Sequence, residues 1–184
     1  MKAFPQLRET RMIKKIMATI LIAGSTYTLS ADDLKVARVI YSEASNVVTA
    51  KERWLVASVM KNRVNNSAFG NGKLNDMSSV CYQQSAFSCV GDKNNVNWKA
   101  TAKLVLKDSA GKSDKAWAAS LLLARGKFKP FDKIVYYHDK SCSKPTCWDN
   151  RYWKTVKVME TEHYVFYSVV KAGTASGKRH RSIS

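Results

Sequence analysis

Glu43 is the residue whose type and setting best suit chemistry. It lies in Val39-Ile-Tyr-Ser-Glu-Ala-Ser-Asn46, near the end of a run that is otherwise apolar or small. A partly buried carboxyl group without a cation beside it can hold its proton near neutral pH. That is the state required of a general acid that protonates the leaving oxygen of a glycosidic bond. A glutamate at a helix end that simply faces water is the plainer reading, and spacing alone favours it. The other groups with possible chemistry are four cysteines, Cys81, Cys89, Cys142 and Cys147, and the histidines His138 and His163. Four cysteines allow three pairings. Their closeness in sequence favours two local bridges, Cys81–Cys89 and Cys142–Cys147, each stapling a loop in an oxidising compartment. A zinc site made from these thiolates with His138 or His163 is the rival, but neither pair has the two-residue separation of common zinc knuckles.

The elements that must position Glu43 are mainly helical. Asp32 or Asp33 can cap a helix whose apolar positions Leu34, Ala37, Ile40, Tyr41 and Ala44 recur at helical spacing. A second helix is predicted from Thr49, with Glu52 as its capping-box partner, through Trp54, Leu55 and Met60 to about Val64. Asn- and Gly-rich residues 65–76 read as loop, and residues 79–83 as a short helical turn. Further helices are expected over residues 98–108 and 113–125, the latter turning Trp117, Leu121 and Ala124 inward and ending at Gly126. The pattern then changes. Residues 133–138, 155–158 and 164–167 are rich in β-branched and aromatic side chains and read as short strands. The expected class is therefore α+β, predominantly helical, with a small β element and no internal repeat.

Composition bounds the rest. A length of 184 residues suits one domain, and 45% hydrophobic with 24% charged residues excludes disorder over most of it. Arg8, Arg11, Lys14 and Lys15 precede the apolar run of residues 16–24, and small polar residues lead to Leu29-Ser-Ala31. A basic segment, a short apolar core and a small-residue exit read as a secretory signal or N-terminal anchor over residues 1–31. That apolar run is shorter than the about 20 residues of a spanning helix, which leaves transient membrane contact as its other use. The domain follows over 32–171, and a basic Gly/Ser-rich tail, expected to be disordered, over 172–184.

Several segments together resemble a known family. Tyr41-Ser-Glu-Ala44 is similar to the Tyr-Gly-Glu-Ala opening of cell-wall hydrolases of the spore-cortex lytic enzyme type. Val56-Ala-Ser-Val-Met-Lys-Asn-Arg-Val64 resembles their apolar helix ending in Asn-Arg-Val. Ser79-Val-Cys-Tyr-Gln-Gln-Ser-Ala-Phe87 resembles their Val-Val-Tyr-Gln-x-x-x-Phe segment. Tyr136-Tyr-His138, Pro145 with Trp148, and His163-Tyr-Val-Phe166 follow in the family's order. Each is weak alone, but together, in order from Tyr41 to Phe166, they are specific.

The resemblance implies a lysozyme-like lytic transglycosylase domain with Glu43 as its acid and peptidoglycan as its substrate. It implies that Tyr82 and Gln83 line the cleft and that Tyr137 and His163 flank it. Packing is an equal reading for Tyr137 and the preferred one for Phe87. Asn62 and Arg63 are expected to bond helix ends or loops. The family's Glu-Ala-Arg-Gly-Glu departs here to Glu43-Ala-Ser-Asn-Val47, so a second acid is missing. Anhydro-forming cleavage needs one carboxyl group, whereas a muramidase that activates water needs a second. No metal or organic cofactor is implied, and a monomer is expected. The formal charge of +17 favours meeting an anionic polymer. A non-catalytic basic binding protein is the reading from another class, but no nucleic-acid-binding signature accompanies the charge. The expected location is exported: periplasmic, secreted or virion-associated.

Overall fold

A computed structural model describes residues 18–22, 25–44, 48–108 and 114–173. The chain divides into two compact units, one ending at Asp132 and the other beginning at Lys133.

The first unit is built on helices. A hairpin of β1 (Ala18–Ile22) and β2 (Ser25–Leu29) pairs antiparallel, with Ala18 opposite Leu29, and leads into α1 (Ala31–Glu43). The rest of the N-terminal segment read as a signal lies outside the described residues. Ser30 caps α1, not Asp32 or Asp33. Its hydroxyl accepts the Asp33 N–H at 3.0 Å while the Asp33 carboxylate accepts the Ser30 N–H at 2.8 Å. Asp33 is thus the third-position partner of a capping box whose cap lies two or three residues earlier than expected.

Leu34, Val36, Ala37, Val39 and Ile40 are all buried. A helix apolar on nearly every side belongs in the middle of a unit, and α1 packs against α2 (Ala50–Arg63), α3 (Met77–Cys81), α4 (Val96–Lys107) and α5 (Lys115–Ala124). The predicted Thr49–Glu52 capping box starts α2. Asp76 and Asn95 accept the Ser79 and Trp98 amides at 2.7 and 2.8 Å. These caps start α3 and α4 two residues before the expected positions. Trp117 and Leu121 of α5 are fully buried, and Gly126 ends that helix at φ +64°, where a glycine carries no Cβ penalty.

The second unit is a three-stranded antiparallel sheet in the order β3 (Tyr136–Asp139), β5 (Tyr164–Lys171), β4 (Trp153–Glu160). Tyr137 pairs with Phe166 and His138 with Val165. β3 starts three residues later than predicted because Lys133 sits at φ +65°, a turn conformation. Ile134 and Val135 are buried all the same, and the Val135 N–H reaches the Tyr167 carbonyl at 2.8 Å. The architecture is α+β with helices dominant. Among the described residues, no helix is long and apolar enough to cross a membrane.

Candidate active site

Glu43 is the last residue of α1 and is half-buried. Two anchors fix the chain around it. The Ala44 N–H closes the last turn onto the Ile40 carbonyl at 2.9 Å. The buried Arg53 of α2 donates from Nε to the Ala44 carbonyl at 3.1 Å. A guanidinium on the carbonyl just past a helix C-terminus satisfies a group the helix itself leaves open and opposes the negative end of its dipole. Tyr41, two residues before Glu43, donates its hydroxyl to Asp114 at 2.9 Å and sets its ring edge-on to Trp117. Burial, then the Asp114 bond, push the Tyr41 phenol up to about 12, so it stays a donor throughout the working range. The adjacent Ser42 stands where the family pattern has glycine. Its buried hydroxyl has no hydrogen-bond partner among the described residues.

The carboxylate itself meets the loop that follows α3. The Cys89 N–H donates to Glu43 Oε1 at 3.1 Å. That loop is held from behind by Phe87, which is buried, and by Arg63. The Arg63 guanidinium lies 4.8 Å from the Phe69 ring centroid and 5.2 Å from that of Phe87, and reaches the Ala86 carbonyl at 3.5 Å. Cation–aromatic contacts with a desolvated guanidinium keep their strength, so Arg63 ties the end of α2 to the loop on Glu43. Asn62 likewise donates to the Phe131 carbonyl at 2.7 Å.

The cysteines differ from expectation. All four are free thiols, and neither Cys81–Cys89 nor Cys142–Cys147 is bridged. Cys81, on α3, turns to Met60, with Sγ 3.7 Å from Sδ, while Cys89 meets Glu43 through its backbone N–H. Burial pushes both thiols up, and the Glu43 charge pushes each of them further. Cys142 and Cys147 are exposed, the first in a turn after β3 and the second in the 3-10 turn Thr146–Trp148. Among the described residues, no group of three or more His, Cys, Asp or Glu is arranged to hold a metal ion.

Tyr82 and Gln83 follow directly on α3 in the same unit as Glu43. Tyr82 is exposed, with Lys35 Nζ 5.9 Å from its ring centroid, and Gln83 is half-buried in a turn closed by the Ala86 N–H. Val47, where a second acid was sought, lies outside the described residues. A cleft of about 480 Å³ opens elsewhere in this unit, lined by Asp32, Lys61, Asp76, Met77 and Arg125 among others. It belongs to the start of α1, about 16 Å of helix from Glu43, so this hollow does not hold Glu43.

The other two expected residues belong to the second unit. Tyr137 packs edge-on to Tyr164 at 5.5 Å and tilted on Phe166 at 5.8 Å, which ties it into the sheet. His163 precedes β5, its carbonyl accepting the Lys140 N–H at 2.8 Å. His138 is stacked on Tyr167 and bonded through Nε2 to its hydroxyl at 3.0 Å. Tyr136 stacks on Trp148 with centroids 4.6 Å apart.

The family model for cell wall hydrolases matches residues 49–167. The chain belongs to the cell wall hydrolase family. It is therefore an enzyme of peptidoglycan cleavage, and its matched segment begins at Thr49, just after Glu43. Two solved structures are similar. One is the catalytic domain of the Bacillus cereus SleB protein, 18% identical, covering 74% of this chain and 89% of that one, with a TM-score of 0.49. The other is the catalytic domain of the germination-specific lytic transglycosylase SleB from Bacillus anthracis, 19% identical, covering 80% and 100%, with a TM-score of 0.46. No curated protein matches the chain. Sequence reasoning missed the contacts of Cys89 with Glu43 and of Arg53 with Ala44. Cys89 was drawn towards a disulfide by its neighbour in sequence, and nothing in the spacing of Arg53 marks it as an anchor for Ala44.

Proposed function

We propose that this cell wall hydrolase cuts the glycan strand between N-acetylmuramic acid and N-acetylglucosamine with Glu43 as its acid and base, leaving 1,6-anhydro ends. The observation that carries the reading is the setting of Glu43: half-buried at a helix end, with one carboxyl oxygen held by the Cys89 amide. Holding one oxygen restrains how the carboxyl group turns, which favours delivery of its proton in one direction. The group first protonates the leaving oxygen. As a carboxylate it then takes the proton of the sugar's own C6 hydroxyl while that oxygen attacks C1. The tethered hydroxyl needs no water and no second carboxylate. The sequence supports this, with Val47 standing where the family pattern has its second acid.

Tyr82 and Gln83, beside Glu43's loop in sequence, are proposed to contact sugar, as are Tyr137 and His163 from the second unit. The +17 charge concentrates the enzyme on the anionic wall. Export through residues 1–31, with transient membrane contact of that segment and action as a monomer, completes the proposal.

Products decide the outcome. Purified sacculi are digested, half the digest is reduced with borohydride, and the masses are compared. Muropeptides one water lighter than hydrolysed ones, and unchanged by borohydride, are expected. Reducible, water-added ends would make the enzyme a muramidase, and binding without release of muropeptides would make it a non-catalytic basic wall protein.

A further inference from the structure

We propose that the outer face of α4 is a docking surface for a phosphodiester-linked polymer of the cell wall, held by Lys99, Lys103 and Lys107. The inference deepens, and rests on, the reading that the chain's charge draws it to an anionic wall. The three lysines recur every four residues, so they stand in one row, about 6 Å apart along the helix axis. All three are exposed, whereas Trp98, Thr101 and Val105 are buried on the opposite side of the helix. α4 contains no Asp or Glu, so nothing in its first turn opposes the positive end of the helix dipole. Among the described residues, no carboxylate pairs with any of the three ammonium groups. Like charges four residues apart repel one another, and a bound polyanion relieves that repulsion.

The chemistry of the face selects the partner. Arginine suits a planar carboxylate, which it grips at two points, whereas lysine meets a phosphate as a point charge. A row of lysines without arginine fits a flexible chain of phosphates better than the peptide carboxylates of the substrate. A membrane surface fits less well. A helix lying in a lipid interface buries a continuous apolar face, but the apolar face of α4 already points inward. The two large apolar side chains left outside, Val96 and Leu106, are 76% and 59% exposed and stand near opposite ends of the helix.

The test is binding of fluorescein-labelled poly(glycerol phosphate) to the full chain, read by anisotropy at about 0.1 M salt. A lysine beside an anionic surface contributes roughly a factor of five, so the triple variant Lys99→Gln, Lys103→Gln, Lys107→Gln binds at least about tenfold more weakly. The control is Lys51→Gln, Lys73→Gln, Lys127→Gln, three exposed lysines from other segments of the same unit. It removes the same charge and loses much less. Glutamine is about as good a helix former as lysine, so both variants keep the parent's circular dichroism spectrum. The polymer also raises the melting temperature of the parent and of the control, and raises that of the α4 variant less.

Equal weakening by the two triple variants overturns the α4 surface and leaves only the general attraction of a basic chain. Binding that neither variant nor added salt weakens overturns that attraction as well. Two further measurements separate the other partners. If the α4 variant binds the polymer like the parent but no longer binds vesicles containing phosphatidylglycerol, the face docks on a membrane and the proposal fails. On solubilised peptidoglycan stripped of phosphate polymer, the α4 variant is expected to release muropeptides at the parent's rate. Slower release there would mean that the lysines hold the substrate itself, and would overturn the proposal too.

Discussion

Arg53→Met removes the guanidinium that holds the chain just past Glu43 while keeping a stem of similar length. In the parent, Arg53 Nε lies 3.1 Å from the Ala44 carbonyl, and both residues are buried. A hydrogen bond from a charged donor contributes about 1.5–3 kcal/mol, and a buried carbonyl left without its donor adds a desolvation cost. Arg53 makes further interactions, so about 2 kcal/mol is a lower bound for the loss. At about 2–4 °C per kcal/mol for a chain of this size, the melting temperature falls by about 4–8 °C. Far-UV circular dichroism during heating measures that fall. The same variant, assayed well below its melting point, is expected to lyse sacculi at least about tenfold more slowly, because the peptide after Glu43 has lost its anchor. A variant within about 0.5 kcal/mol of the parent that lyses at the parent's rate would refute the reasoning, since it would mean that Arg53 neither holds Ala44 nor matters to Glu43.

Thr49→Ala breaks the capping box of α2, in which buried Glu52 accepts both the Thr49 N–H and hydroxyl at 2.9 and 3.1 Å. It costs about 1 kcal/mol, read as a shift of the urea midpoint at constant slope. Brief iodoacetamide treatment of the native protein labels the exposed Cys142 and Cys147, while the buried, upward-shifted thiols of Cys81 and Cys89 react only after denaturation. Peptide mass spectrometry decides between this pattern and bridged pairs. Added salt slows lysis by weakening the attraction of the +17 chain for the wall, and turbidity clearing that ignores ionic strength marks the charge as incidental.

Much of the helical unit was legible because its signals are local. The Thr49–Glu52 box, the Gly126 stop and the inward face of Trp117, Leu121 and Ala124 all come from contacts within one helix or its flanks. The cap of α1 was misplaced by two or three residues because Ser30 and the two aspartates compete for the same role, and only backbone geometry separates them. The late start of β3 was hidden because the residues 133–138 pattern is apolar throughout, while the turn at Lys133 is a backbone fact no side-chain pattern records. The surroundings of the cysteines were hidden for the same physical reason. Separations of eight and five residues make bridges possible, but a thiol's partner is set by packing, and here Met60 and Glu43, distant in sequence, claim the buried pair. The residues around Glu43 come from α1, α2 and the loop after α3, a long-range arrangement that no local periodicity could announce.

The most direct measurement is the rate at which Glu43→Gln releases soluble muropeptides from purified sacculi, beside the parent and at matched thermal stability. An amide keeps the shape and can still accept the Cys89 N–H, but it has no acid proton to give. The account predicts a loss of at least about a hundredfold, in the range that general acid catalysis supplies. Near-parent release by a well-folded Glu43→Gln protein would contradict it and move the acid to another carboxyl group of the chain.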